Sequence, residues 1–113
     1  DPAVGFALKR LDRGATVRDV ARALDYSPRR LRRHFAAAVG LNPKRYAGLA
    51  RFHRVVRRVA AGAPDSWADL ALDAGYVDQA HLVRDFRAFS GLTPTQYRPR
   101  APDEPNHVPL DEA

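Results

Sequence analysis

Four guanidinium groups crowd five consecutive positions: Arg29, Arg30, Arg32 and Arg33, with Leu31 among them and Phe35 just beyond. A guanidinium stays charged in any protein and presents a rigid fork of donors. That fork matches phosphate oxygens, or the O6 and N7 edge of guanine. The chemistry implied is anion binding, not bond making. The surrounding sequence agrees, for no acidic residue occurs from Tyr26 to Pro64. The same stretch holds Arg29, Arg30, Arg32, Arg33, Lys44, Arg45, Arg51, Arg54, Arg57 and Arg58, ten positive charges. The rest of the chain carries nine basic and thirteen acidic residues, a balance of −4 within a total of +6. Charge gathered into one block points to an anionic macromolecule as partner.

Other chemistries lack their residues. Cysteine is absent, which removes disulfides, thiolate nucleophiles and cysteine metal sites. His34, His53, His81 and His107 show no ligand spacing, so no metal is expected. There is no glycine-rich phosphate loop, no serine elbow and no carboxylate pair beside a histidine, so neither a cofactor nor an enzyme activity is expected. No apolar run approaches the roughly 18 residues of a membrane span, and no signal-peptide pattern opens the chain. A cytoplasmic protein is the expectation. A chain that begins Asp1-Pro2 and lacks methionine reads as part of something longer, with an effector or dimerisation domain outside it.

The arginines must be held by something, and the chain contains it twice. TVRDVARALDY (16–26) aligns with SWADLALDAGY (66–76) at an offset of 50. One extra residue then enters, and at an offset of 51 Leu31 meets Leu82, Phe35 meets Phe86, Gly40 meets Gly91, Pro43 meets Pro94 and Tyr46 meets Tyr97. Each copy reads as helix, turn, helix. Thr16 and Ser66 are N-caps with Asp19 and Asp69 three residues on, close to a capping box. Val17, Val20, Ala21 and Leu24 mark one face of a short first helix, matched by Trp67, Leu70, Ala71 and Ala74. Asp25 and Gly75 suit the positive φ of the turn. Ser27 and Asp78 cap the second helices, which are expected to bury Leu31, Phe35 and Ala38 in copy one, and Leu82, Phe86 and Phe89 in copy two. Gly40 and Gly91 end them.

The expected organisation is all-α with about seven helices. Residues 1–42 form an N-terminal helix and the first helix-turn-helix, 43–61 a long joining helix, 62–98 the second helix-turn-helix, and 99–113 an extended or disordered acidic tail. On a helical wheel with Leu31 facing the core, Arg29 and Arg33 fall at about 160° and 200°, while Arg32 and Arg30 lie on the shoulders. The arginines thus form an outward ridge on the second helix of the motif. The matching ridge of copy two, Ala80, Arg84 and Arg87 with His81 and Val83 on the shoulders, is far less basic. Arg51, Arg54, Arg57 and Arg58 have two expected uses: pairing with Asp73 or Asp85 to hold the lobes together, or meeting phosphates.

The tandem, and above all GYVDQAHLVRDFRAFSGLTPTQYR (75–98) with both Gly-x-x-Pro-x-x-Tyr endings, resembles the DNA-binding domain of AraC/XylS-type transcription regulators. The resemblance covers roughly residues 1–98. It implies a bilobed domain that places one recognition helix in each of two successive major grooves, with transcription activation the usual outcome. It implies base contacts by Arg29, Arg32 and Arg33 in the first lobe and by Gln79, Ala80, His81 and Arg84 in the second. Ala80 stands where the family often has a polar residue, which leaves it a thymine methyl or nothing to read. Ser27, Arg30, Lys44, Arg45 and Arg87 are expected on phosphates. Double-stranded DNA is the expected partner. Two other readings fit less of the sequence. An RNA-binding basic helical protein would offer aromatic stacking platforms where this ridge offers arginine. A protein-interaction module would need an exposed apolar patch, although the acidic tail or the outer surface of copy two would suit RNA polymerase.

Overall fold

Six capping side chains start six helices. The computed structural model describes residues 1–97. Among these stand α1 (Pro2–Asp12), α2 (Val17–Leu24), α3 (Pro28–Val39), α4 (Pro43–Ala60), α5 (Trp67–Ala74) and α6 (Gln79–Ser90). The side-chain oxygen of Asp1 accepts from the Ala3 N–H at 3.0 Å, Thr16 from Asp19 at 3.0 Å, and Ser27 from Arg30 at 3.1 Å. Asn42 accepts from Arg45 at 2.8 Å, Ser66 from Asp69 at 3.2 Å, and Asp78 from His81 at 2.8 Å. Each bond satisfies one of the donors a helix start leaves open. The far ends turn through the left-handed region at Asp25 (φ 55°), Gly40 (87°), Gly75 (103°) and Gly91 (78°).

The backbone after Gly91 explains the Gly-x-x-Pro-x-x-Tyr endings. In the first copy Gly40 closes α3, Asn42 and Pro43 open α4, and the Tyr46 ring folds back edge-on to Phe35 at 5.6 Å. In the second, Tyr97 meets Phe86 in the same way at 5.6 Å. Here the backbone makes one turn, with the Gln96 and Tyr97 N–H groups donating to the Thr93 carbonyl at 3.0 and 3.2 Å. The Gln96 side-chain oxygen accepts from the Thr93 N–H at 2.9 Å, half of a capping box. The place expected for a seventh helix thus begins as a helix would. The residues that would extend it, and the acidic tail at 99–113, lie outside the described residues.

The chain divides into two compact units, Asp1–Ala50 and the remainder from Arg51. The boundary falls inside α4. Ala47 belongs to the core of the first unit, with Leu11, Val20, Leu31 and Phe35. Phe52, Val55, Val56 and Val59 belong to the core of the second, with Leu70, Leu82 and Phe86, and Trp67 packs against its side. The repeat therefore has three helices. Val4, Ala7, Leu8 and Leu11 of α1 correspond to Phe52, Val55, Val56 and Val59 of α4 at an offset of 48. In both units the motif's first helix places a small residue, Ala21 or Ala71, in the core.

One expected core position is corrected. Ala38 is exposed, and Val39 packs against the first core instead. Its counterpart Phe89 is a large ring that reaches Phe52 at 5.3 Å. A single methyl on the last turn of α3 spans no such distance.

Candidate nucleic-acid interface

Leu31 and Phe35 anchor α3 with 2% and 0% of their surface exposed, and this fixes the rotation of the helix. Arg29, Arg32 and Arg33 consequently stand in solvent, and among the described residues none of them has an acidic partner. Arg30 is exposed too, but its guanidinium lies over the Tyr26 ring at 3.9 Å, a cation–π contact that holds it beside the turn. Ser27 stays exposed while its oxygen caps α3. Lys44 and Arg45 are exposed on the first turn of α4. His34 is half-buried, with its ring against Tyr26 at 5.7 Å and Nδ1 3.9 Å from Asp1.

In the second unit Leu82 and Phe86, both fully buried, anchor α6. Gln79, Ala80, Arg84 and Arg87 are exposed. His81 is half-buried and occupied. Its Nδ1 accepts from the Val77 N–H at 3.4 Å, its ring meets Tyr76 edge-on at 4.9 Å, and its Nε2 stands 3.8 Å from Asp85. His81 and Arg30 are equivalent in the repeat, and each braces a turn tyrosine.

Two arginines of α4, Arg51 and Arg54, are spent locally. Arg51 pairs with Asp85 at 3.5 Å and lies over Tyr76 at 5.4 Å. Arg54 Nε donates to the Ala74 carbonyl at 2.9 Å, where a cation suits the negative end of α5. Both contacts lie within the second unit. Burial pushes the Tyr76 hydroxyl up to about 12, and the Asp85 charge adds to it against the opposing pull of Arg51 and Arg54. Tyr46, partly withdrawn from water and donating to Asp12 at 2.7 Å, is raised to about 12 as well. Both phenols therefore keep their protons well above physiological pH.

Gly75 sits beneath this clamp. A Cβ there would stand 3.2 Å from Arg54 Nη2, and φ is 103°. Gly75→Ala should destabilise the second unit by about 1–2 kcal/mol, the strain of a left-handed backbone on a residue with a Cβ. Urea unfolding checks this, and a midpoint unchanged from wild type would contradict it. At the equivalent turn Asp25 already tolerates φ 55°.

Comparison with known proteins decides the family. The sequence profile described as "Helix-turn-helix domain" matches residues 20–100, which is most of the chain. The chain belongs to the AraC/XylS-type helix-turn-helix family. The Melibiose operon regulatory protein of Escherichia coli K12 is 27% identical over 95 residues, 84% of this chain and 31% of the relative. The chain thus spans about a third of the length of the curated relatives it matches. Among solved structures, the C-terminal domain of AraT, a response regulator from Geobacillus stearothermophilus, superimposes with a TM-score of 0.76 at 21% identity, covering 85% of this chain and 83% of that one. A transcriptional regulator of AraC type from Chromobacterium violaceum gives 0.69 at 22%, covering 84% and 88%. These likenesses establish the fold. The AraC/XylS family consists of DNA-binding transcription regulators and is not an enzyme family.

The two units of this AraC-type domain differ in charge. Asp1–Ala50 carries eleven basic and four acidic residues, whereas residues 51–97 carry six and five. No described helix of the domain is long and apolar enough to cross a membrane. One exposed side chain escaped the sequence reading. Val77, in the turn before α6, is 79% exposed. The extra residue was visible in the alignment, but its outward direction depends on the contacts of His81 and Tyr76.

Proposed function

We propose that this domain binds double-stranded DNA sequence-specifically, with α3 and α6 as recognition helices in successive major grooves and α3 supplying most of the affinity. The observation that carries the reading is the α3 ridge. Three exposed arginines without acidic partners stand on the second helix of a helix-turn-helix, the helix that enters the groove in DNA-binding forms of the motif. Arg29, Arg32 and Arg33 read base edges in one half-site. Gln79, Ala80 and Arg84 read the other, with His81 at the edge of that set. Ser27, Arg30, Lys44, Arg45 and Arg87 meet phosphates, which position the protein without carrying sequence information.

The test is selection of bound sequences from a random duplex library at physiological salt, where non-specific binding is weak. The expected result is a motif of two blocks about ten base pairs apart. No enrichment would reject the reading. On the selected site, Arg29→Ala or Arg33→Ala should weaken binding roughly five- to 150-fold and relax preference in one block only. Arg84→Ala should act on the other block. Equal losses on every sequence would reassign these arginines to phosphate.

A further inference from the structure

The two turns differ by one residue, and the odd residue is apolar. Tyr26 is followed at once by the cap Ser27, whereas Val77 stands between Tyr76 and the cap Asp78. Its neighbours are committed. Tyr76 is 3% exposed in the core, and Asp78 accepts from the His81 N–H. Val77 points the other way, with 79% of its surface in water, more than Leu72, the other large exposed hydrophobic among the described residues, at 59%. Its backbone is moored, for its N–H donates to Nδ1 of His81, whose ring is wedged against Tyr76 and faces Asp85. A solvated turn ordinarily takes Gly, Asn, Asp or Ser. Here a stiff β-branched side chain is held outward instead, beside the N-terminal end of α6, with the exposed Ala80 one turn along.

In a major groove the apolar group that distinguishes one base is the C5-methyl of thymine. We propose that Val77 is a specificity-determining residue that packs on a thymine methyl in the half-site read by α6, and that His81 is the positioning residue that holds the turn for it. This rests on the DNA-binding reading above. It makes the poorly charged unit selective through apolar contact, where α3 works through charge. It also gives His81 a use that needs no base contact of its own. Nδ1 can accept the Val77 N–H hydrogen bond only while it carries no proton of its own, with Asp85, Asp78, Arg51 and Tyr76 as the surrounding polar groups.

The experiment uses the whole chain on the duplex it selects. Each thymine of the α6 half-site is replaced in turn by uracil, which lacks only the methyl. One replacement should weaken wild-type binding roughly three- to fivefold, the worth of burying one methyl-sized group. The same replacement should leave Val77→Ala unaffected. His81→Ala should lose the thymine preference at that position while keeping the α3 half-site, and His81→Asn, whose side-chain oxygen can still accept, should restore it. If a motif is selected but every uracil costs Val77→Ala as much as wild type, the Val77 contact is wrong and the DNA-binding reading stands. If His81→Ala keeps the preference, His81 does not position the turn. If no motif is selected, both readings fall together.

Discussion

Raising salt from about 50 to 200 mM should weaken duplex binding by roughly 10³–10⁵-fold, because each neutralised phosphate releases condensed counterions. The size follows from the cations on the two proposed recognition surfaces. Arg29, Arg30, Arg32, Arg33, Lys44, Arg45, Arg84 and Arg87 are all exposed. Four of them, Arg30, Lys44, Arg45 and Arg87, meet phosphates in the proposed complex, and the four base-reading arginines enter the same phosphate field. Some eight charges therefore displace counterions, within the ~6–10 that give a slope of log affinity against log salt of roughly −5 to −9. Most of that slope belongs to the first unit. Replacing Lys44 and Arg45 by alanine should make it shallower by about two, with little change in preferred sequence. Replacing Arg87 alone should change it by about one. A wild-type slope shallower than about −2, measured by fluorescence anisotropy of a labelled duplex, would mean that the arginine ridge does not lie against the backbone. Isolated basic faces behave in that way.

Phe86→Ala should cost about 3–5 kcal/mol, the loss usual for emptying the site of a buried aromatic ring. Phe86 is fully buried and meets Phe52 at 5.0 Å and Tyr97 at 5.6 Å, both edge-on. Its removal opens a void among α4, α6 and the turn that follows α6. A unit of about fifty residues commands only roughly 3–7 kcal/mol in all, so the second unit should be largely unfolded at ambient temperature. Phe35→Ala should do the same to the first unit, where the ring is equally buried against Tyr46. Amide exchange locates the damage: protection should vanish from α5 and α6 in one variant and from α2 and α3 in the other. A loss below about 1 kcal/mol by urea unfolding would mean that these rings do not hold their units together.

Local chemistry made much of this fold legible in the sequence. The caps at Thr16, Ser27, Ser66 and Asp78 act within three residues, so side-chain type was enough to place them. The outward ridge of α3 followed from Leu31 and Phe35 alone. Less legible was whatever depends on distant partners. The equivalence of α1 and α4 was hidden because it runs at an offset of 48, not 50, and its residues share character more than identity. The Asn42 cap was overlooked beside Pro43, a louder signal. Ala38 had the spacing of a core residue but not the reach. His81 resembled any polar residue on a helix shoulder, and only the structure shows it bonded to the turn. For Arg51, Arg54, Arg57 and Arg58 the sequence left two uses open, pairing with Asp73 or Asp85 or meeting phosphates; Arg51 takes the first, with a partner, Asp85, in its own unit.

Trp67, the chain's single tryptophan, packs against the core of the second unit. The emission of the whole domain is therefore the testimony of one half of it. A melting curve followed by tryptophan fluorescence reports Phe52, Leu70 and Phe86 and is silent about Phe35. Far-ultraviolet dichroism counts the helices of both units. Where the two curves coincide, the units unfold as one cooperative body. Where they part, the interval between them measures how unequally stability is shared between the half with the large net charge and the half whose charges nearly balance.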